Sequence, residues 1–163
     1  MRVLGIDPGS TVTAFGVVEA ARGRYHLIAS GCVRTKADTP MAQRLVAIHQ
    51  GLADFLDAQR PDAVAIEAIF RHKSSESALR LGQARGVALL ACGARGHEPF
   101  EYNNATVKAT VGAHGRADKD AVARMVRLLV GQAAIDGPAD ITDAIAIAIT
   151  HCAHARTLVA RSA

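Results

Sequence analysis

The strongest constraint on the fold is the spacing of the apolar runs at the N-terminal end. Val3–Ile6, Thr13–Glu19 and Tyr25–Arg34 read as strands, and the polar turn Ala21-Arg22-Gly23-Arg24 between the last two cannot hold a helix. Strands joined so tightly pair antiparallel, because a parallel return needs a crossover of about a dozen residues or more. Beyond Arg34 the pattern changes. Thr39-Pro40 predicts an N-cap followed by Pro at the first helical position. Met41, Leu45, Ile48, Leu52 and Phe55 then recur at steps of four and three, the spacing of an amphipathic helix. Asp62–Ile69 predicts a buried strand, and Ser75–Ala94 a helix whose Gly82 and Gly86 suit close packing against a sheet. Pro99–Tyr102 predicts a fifth short strand, and Asn104–Val111, Asp118–Val130 and Pro138–Arg156 predict helices. A meander followed by strands alternating with helices implies an α/β fold, a five-stranded mixed sheet flanked by helices on both faces.

At 163 residues the chain forms one domain over positions 1–163, large enough to bury a full core without disulfides or structural metal. Half of its residues are hydrophobic and 21% are charged, which excludes a disordered or fibrous chain. Nineteen Lys and Arg against 15 Asp and Glu leave a net charge of +4, compatible with a polyanionic partner. Gly86–Ala94 and Ala144–Thr150, the longest apolar stretches, are too short to span a bilayer, so no membrane association is expected. Cys32, Cys92 and Cys152 are odd in number and widely spaced, and read as buried thiols of a reducing cytoplasm.

Four carboxylates sit awkwardly in this pattern. Asp7 ends a buried strand, although Asp7-Pro8-Gly9 also suits an ordinary turn. Glu67 lies inside the apolar run Val64–Ile69, where an acid is rarely buried unpaired, unless it reaches solvent at a sheet edge. Asp140 and Asp143 lie three apart at the start of the last helix. They could simply cap it, Asp140 as N-cap and Asp143 as a first-turn acid, yet they continue into the apolar face of Ala144 and Ile147. Brought together, such acids repel and need raised pKa values or cations. Hard oxygen donors of this kind select Mg²⁺ or Mn²⁺, and a cluster suits two-metal phosphoryl chemistry. His151, eleven positions after Asp140, falls too far along the helix to join them and is expected to pack.

These residues resemble a known family. Leu4-Gly5-Ile6-Asp7-Pro8-Gly9, Ile66-Glu67-Ala68-Ile69-Phe70, Leu81-Gly82-Gln83-Ala84-Arg85-Gly86 and Asp140-Ile141-Thr142-Asp143-Ala144 are similar, in order and spacing, to the RuvC family of bacterial Holliday junction resolvases. The resemblance implies a ribonuclease H-like fold and a homodimer that nicks two strands of like polarity across a four-way DNA junction. It implies that Asp7, Glu67, Asp140 and Asp143 hold two Mg²⁺ or Mn²⁺ ions, and that Lys108 and Lys119 sit beside the scissile phosphate. Phe70 would stack on a base near the crossover, and a branch-migration complex of the RuvA–RuvB kind would be a further partner. The chain departs from the family at Asn103-Asn104, where many relatives have Thr-Pro, and at Ala113, where Gly is usual.

The remaining basic residues fit a DNA-binding reading. Arg71, Lys73, Arg80 and Arg85 surround Phe70, and Arg116 accompanies Lys119, although solvated helix faces look the same in sequence. The Gly82–Ala94 helix, with Leu79, Leu81, Leu89 and Leu90, carries more apolar surface than one core face needs and is the expected dimer contact. Rival readings are another ribonuclease H-like nuclease, a junction-binding module without chemistry, and an actin- or sugar-kinase-like ATP-binding module. The last rests on Asp7-Pro8-Gly9-Ser10-Thr11 after a strand, but needs a second domain that 163 residues cannot supply.

Overall fold

A computed structural model describes residues 1–68, 75–112, 119–132 and 135–161, with the side chains of Lys119 and of residues 156–161 outside that description. β1 (Arg2–Asp7), β2 (Val12–Ala21) and β3 (Arg24–Arg34) form the antiparallel meander. α1 (Met41–Gln59) leads to β4 (Ala63–Glu67), and α2 (Ser75–Gly93) to β5 (Phe100–Tyr102). α3 (Asn104–Thr110), α4 (Lys119–Val130) and α5 (Ala139–Arg161) complete the chain. The five strands lie in the order β3-β2-β1-β4-β5, with β4 parallel to both β1 and β5. The expected mixed five-stranded sheet is therefore present.

The two-residue period of the strands assigns its faces. Leu4 and Ile6 of β1 join Val64 and Ile66 of β4 in a core with Leu52 and Leu56 of α1 and Ala88, Ala91 and Cys92 of α2. Val3 and Ala65 point the other way, into a second core built from α3, α4 and α5. By the same alternation Asp7 and Glu67 face α5. α5 lies unusually close to the sheet: a Cβ on Gly5 would stand 2.0 Å from the Ala144 carbonyl oxygen and 2.7 Å from the Ala148 amide. Gly16, paired with Gly5 across β1 and β2, would bring a Cβ within 2.6 Å of Ile145 Cγ1. Two glycines thus form a shallow seat for a helix whose residues from Ala144 to Cys152 are all buried.

Several local expectations shift. The N-cap of α1 is Pro40, with no side-chain cap bond, because its extended ψ of 137° places it outside the helix. β4 ends at Glu67, with Ile69 outside the described residues. Gly82 and Gly86 do not pack against the sheet: nothing lies within 4 Å of a Cβ built on either, since both face outward on α2. Cys92 and Cys152 are buried thiols outside any disulfide, whereas Cys32 is only half-buried. Among the described residues no helix is long and apolar enough to cross a membrane.

Candidate active site

β1 and β4 are parallel and in register from Val3 opposite Ala63 to Ile6 opposite Ile66, so the next residues, Asp7 and Glu67, end their strands side by side. Loops and groups at the C-terminal ends of parallel strands are where α/β sheets place their sites. Above this edge passes the first turn of α5. The helix begins at Ala139, so Asp140 sits in its first turn and is not the N-cap; Asp143 follows one turn on. The Gly5 seat holds Ala144 against the sheet and brings both acids down onto Asp7. Carboxylate oxygens of Asp7, Asp140 and Asp143 lie within 4.8 Å of one another.

The electrostatics of this cluster are unfavourable without a counter-ion. Burial, the charges of Glu67, Asp143 and Asp140, and a hydrogen bond with Glu67 push Asp7 from 3.8 up to about 8. Burial is the largest cause, and the neighbouring acids add to it. A partly buried Asp7 that resists ionisation beside three further carboxylates offers a donor set suited to a hard divalent cation, which removes the repulsion. Asp7, Glu67, Asp140 and Asp143 line one cleft of about 380 Å³, together with Leu81, Asn104 and Lys108.

The sequence matches the RuvC family, described as crossover junction endodeoxyribonuclease RuvC, over residues 3–151. The chain belongs to the RuvC family. Among RuvC proteins it is 47% identical to that of Myxococcus xanthus over 160 residues, covering 98% of this chain and 84% of the relative. It is 40% identical to that of Pelotomaculum thermopropionicum over 154 residues, 94% of each chain. Its fold superposes with a TM-score of 0.88 on Thermus thermophilus RuvC in complex with a Holliday junction substrate, at 34% identity and 96% coverage of both chains. The fold is thus the ribonuclease H-like fold of the RuvC resolvases, and the chain is an endonuclease by family.

The other residues singled out in the RuvC pattern fall into three groups. Lys108, in the last turn of α3, lines the cleft with the acids. Arg80 and Arg85 are engaged within the protein. Arg80 pairs with Glu76 one turn earlier on the exposed side of α2. Arg85 turns inward, its side chain 13% exposed, with Nη2 2.7 Å from Glu101 Oε1 and Nε donating to the Glu67 carbonyl at 3.4 Å. The Arg85 side chain therefore braces the end of β4 against β5. Phe70, Arg71, Lys73 and Arg116, and the side chain of Lys119, lie outside the described residues; Lys119 opens α4. His151 packs as expected, 5% exposed, with Nδ1 3.0 Å from the Tyr102 hydroxyl and its ring 4.3 Å from that of Phe100. Burial holds its pKa below the ordinary imidazole range.

Sequence reasoning did not place Asn104 in the site. Asn103 caps α3, its Oδ1 accepting from the Thr106 amide at 2.8 Å, so the Asn104 side chain is released to donate from Nδ2 to Glu67 Oε1 at 3.4 Å. The only signal was the paired Asn itself, one residue more than a cap needs.

Proposed function

We propose that this chain resolves four-way DNA junctions by paired, symmetric hydrolysis of two phosphodiesters, leaving 5′-phosphate and 3′-hydroxyl ends. The observation that carries this reading is the convergence of Asp7, Asp140 and Asp143 within 4.8 Å at the end of two parallel strands in a RuvC fold. Together with Glu67 they would hold two Mg²⁺ or Mn²⁺ ions per site. Such ions, when bound, make an attacking water more acidic and offset charge on the leaving oxygen. Lys108 supplies a compact cation at the rim of the same cleft, suited to a phosphate oxygen. Lys119, at the start of α4, would add a second, and Phe70, Arg71, Lys73 and Arg116 would contact DNA beyond the cleft.

Among the described residues one chain carries one such cluster, so two symmetric nicks require two copies about a two-fold axis. The outward face of α2 supports a homodimer. Leu79 and Leu90 are 64% and 61% exposed, and Gly82 and Gly86 between them leave open space where side chains would stand. Glycine in a helix costs about 1 kcal/mol against alanine, so two on one exposed face are best explained by close approach of a second helix. Leu81 belongs instead to the cleft, and Leu89 packs on the core. A RuvA–RuvB-type branch-migration complex, acting with the dimer in the cytoplasm, completes the proposed setting.

The deciding experiment compares a mobile four-way junction with linear duplex and an RNA–DNA hybrid, each with Mg²⁺, Mn²⁺ or chelator. Symmetric nicking of the junction alone, dependent on the ion, is expected. Hydrolysis of the hybrid in preference to the junction would transfer the assignment to another ribonuclease H-like activity.

A further inference from the structure

Glu67 is held differently from the other three acids. It is absent from the trio whose oxygens fall within 4.8 Å, and it reaches that trio through a hydrogen bond with Asp7. Its backbone is pinned twice: the carbonyl accepts from Arg85 Nε, and the following amide of Ala68 donates to the Tyr102 carbonyl at 2.9 Å. Those contacts fix where the side chain starts but not where the carboxylate points. A Glu with three rotatable bonds at the mouth of a cleft would otherwise sample several orientations.

Asn104 supplies the missing constraint. It is the first residue of α3, two positions past Tyr102, the β5 partner of Glu67. Its side chain lines the cleft and its Nδ2 donates to Glu67 Oε1. Because Asn103 already caps the helix, Asn104 has no local role that would explain this orientation. An amide donor neither titrates nor competes for a cation through its nitrogen. It can therefore steer a metal-binding carboxylate without changing the charge of the site, as outer partners of metal ligands do.

We propose that Asn104 is a positioning residue that orients Glu67 toward Asp7 and so sets how tightly the acidic cluster holds a divalent cation. This deepens the proposed nuclease function and rests on it. The test uses the full-length protein without DNA, titrated with Mn²⁺ by calorimetry, alongside junction binding in chelator and thermal melting. Asn104→Ala removes the donor, keeps a good helix former at the first helical position, and leaves the Asn103 cap intact. Mn²⁺ affinity should fall by about threefold to tenfold, at or below the usual range for outer partners because the contact is long and exposed. Melting temperature without metal and junction affinity in chelator should stay at wild-type values. Cleavage should slow at low Mn²⁺ and recover as Mn²⁺ is raised, and Asn104→Gln, which retains the amide, should restore part of the lost affinity. Wild-type Mn²⁺ binding by Asn104→Ala would overturn the proposal, as would an equal loss of metal-free junction binding, which would mean that Asn104 touches DNA. Failure of the wild-type protein to bind Mn²⁺, or undiminished binding by Asp7→Asn, would instead overturn the metal-dependent nuclease reading itself.

Discussion

Asp7 carries the largest electrostatic strain at the residue scale, and its titration makes the metal-free protein behave unlike most. An acid raised from 3.8 to about 8 binds its proton more tightly in the fold than in the unfolded chain. Between those values the unfolded chain holds fewer protons, so the Asp7 contribution to stability declines as pH rises from about 4 to about 8. Most paired carboxylates do the reverse. Asp7→Asn keeps the shape without the charge, so in chelator its melting temperature at about pH 8 should exceed wild type, with a flatter slope between about pH 5 and pH 8. In a domain of this size each kcal/mol relieved is worth about 2–4 °C, which a melting series resolves. The same variant should lose incision while retaining junction binding, because one negative charge near the phosphates is gone. Near wild-type cutting in Mg²⁺ would return Asp7 to an ordinary turn residue. The four acids were legible in sequence because Glu67 sits inside an apolar run, Asp7 ends one, and Asp140 and Asp143 lead into one. Asn104 was not, since an Asn at a helix start already has an explanation in capping. The Arg85–Glu101 pair was not legible either, since the two residues lie on different elements and sequence spacing does not reveal such a pairing.

At the element scale, the decisive feature is the height of α5 above the sheet. Sequence predicted the helix and its apolar faces, but assigned close packing to the wrong glycines. Gly82 and Gly86 drew notice because glycine weakens a helix, whereas Gly5 and Gly16 looked unremarkable inside strands. The reason is physical: a glycine in a strand can mark the close approach of another backbone, but which element approaches is decided only by the packing, here α5 over Gly5 and Gly16. The two classes should respond oppositely to alanine. Gly5→Ala drives a methyl into the backbone of α5, which cannot rotate away as a side chain would. A loss of about 3 kcal/mol or more is expected, at the upper end for overpacked cores. Gly86→Ala meets nothing within 4 Å among the described residues and should stabilise the isolated fold by up to about 1 kcal/mol. Urea unfolding at dilute concentration measures both. Equal tolerance of the two substitutions would mean that α5 can lift from the sheet, and the mutual distances of Asp7, Asp140 and Asp143 would not then be set by the glycine seat.

At the scale of the whole molecule, the two cores divide the work. One, between the sheet and α1 and α2, supports a face turned outward; the other, beneath α5, supports the acids. α2 serves both, since Leu81 lines the cleft while Leu79 and Leu90 project from the opposite side. A partner docked on α2 would thus sit one helix thickness from the cleft, close enough for pairing to fix the spacing of two incision sites. Leu90→Glu tests this. The position is 61% exposed, so the protomer should fold with stability changed by no more than about 0.5 kcal/mol. A charge buried at a helix–helix contact, by contrast, is strongly unfavourable without a partner. Sedimentation at micromolar concentration should show a monomer for Leu90→Glu and a dimer for the wild type. On a plasmid bearing an extruded cruciform, the wild type should produce linear molecules by near-simultaneous nicks. The variant should accumulate nicked circles, because each incision would await a separate encounter. Linear product at the wild-type rate from a protein that sediments as a monomer would show that one cluster can make both cuts in turn, and would remove the symmetry argument on which the dimer rests.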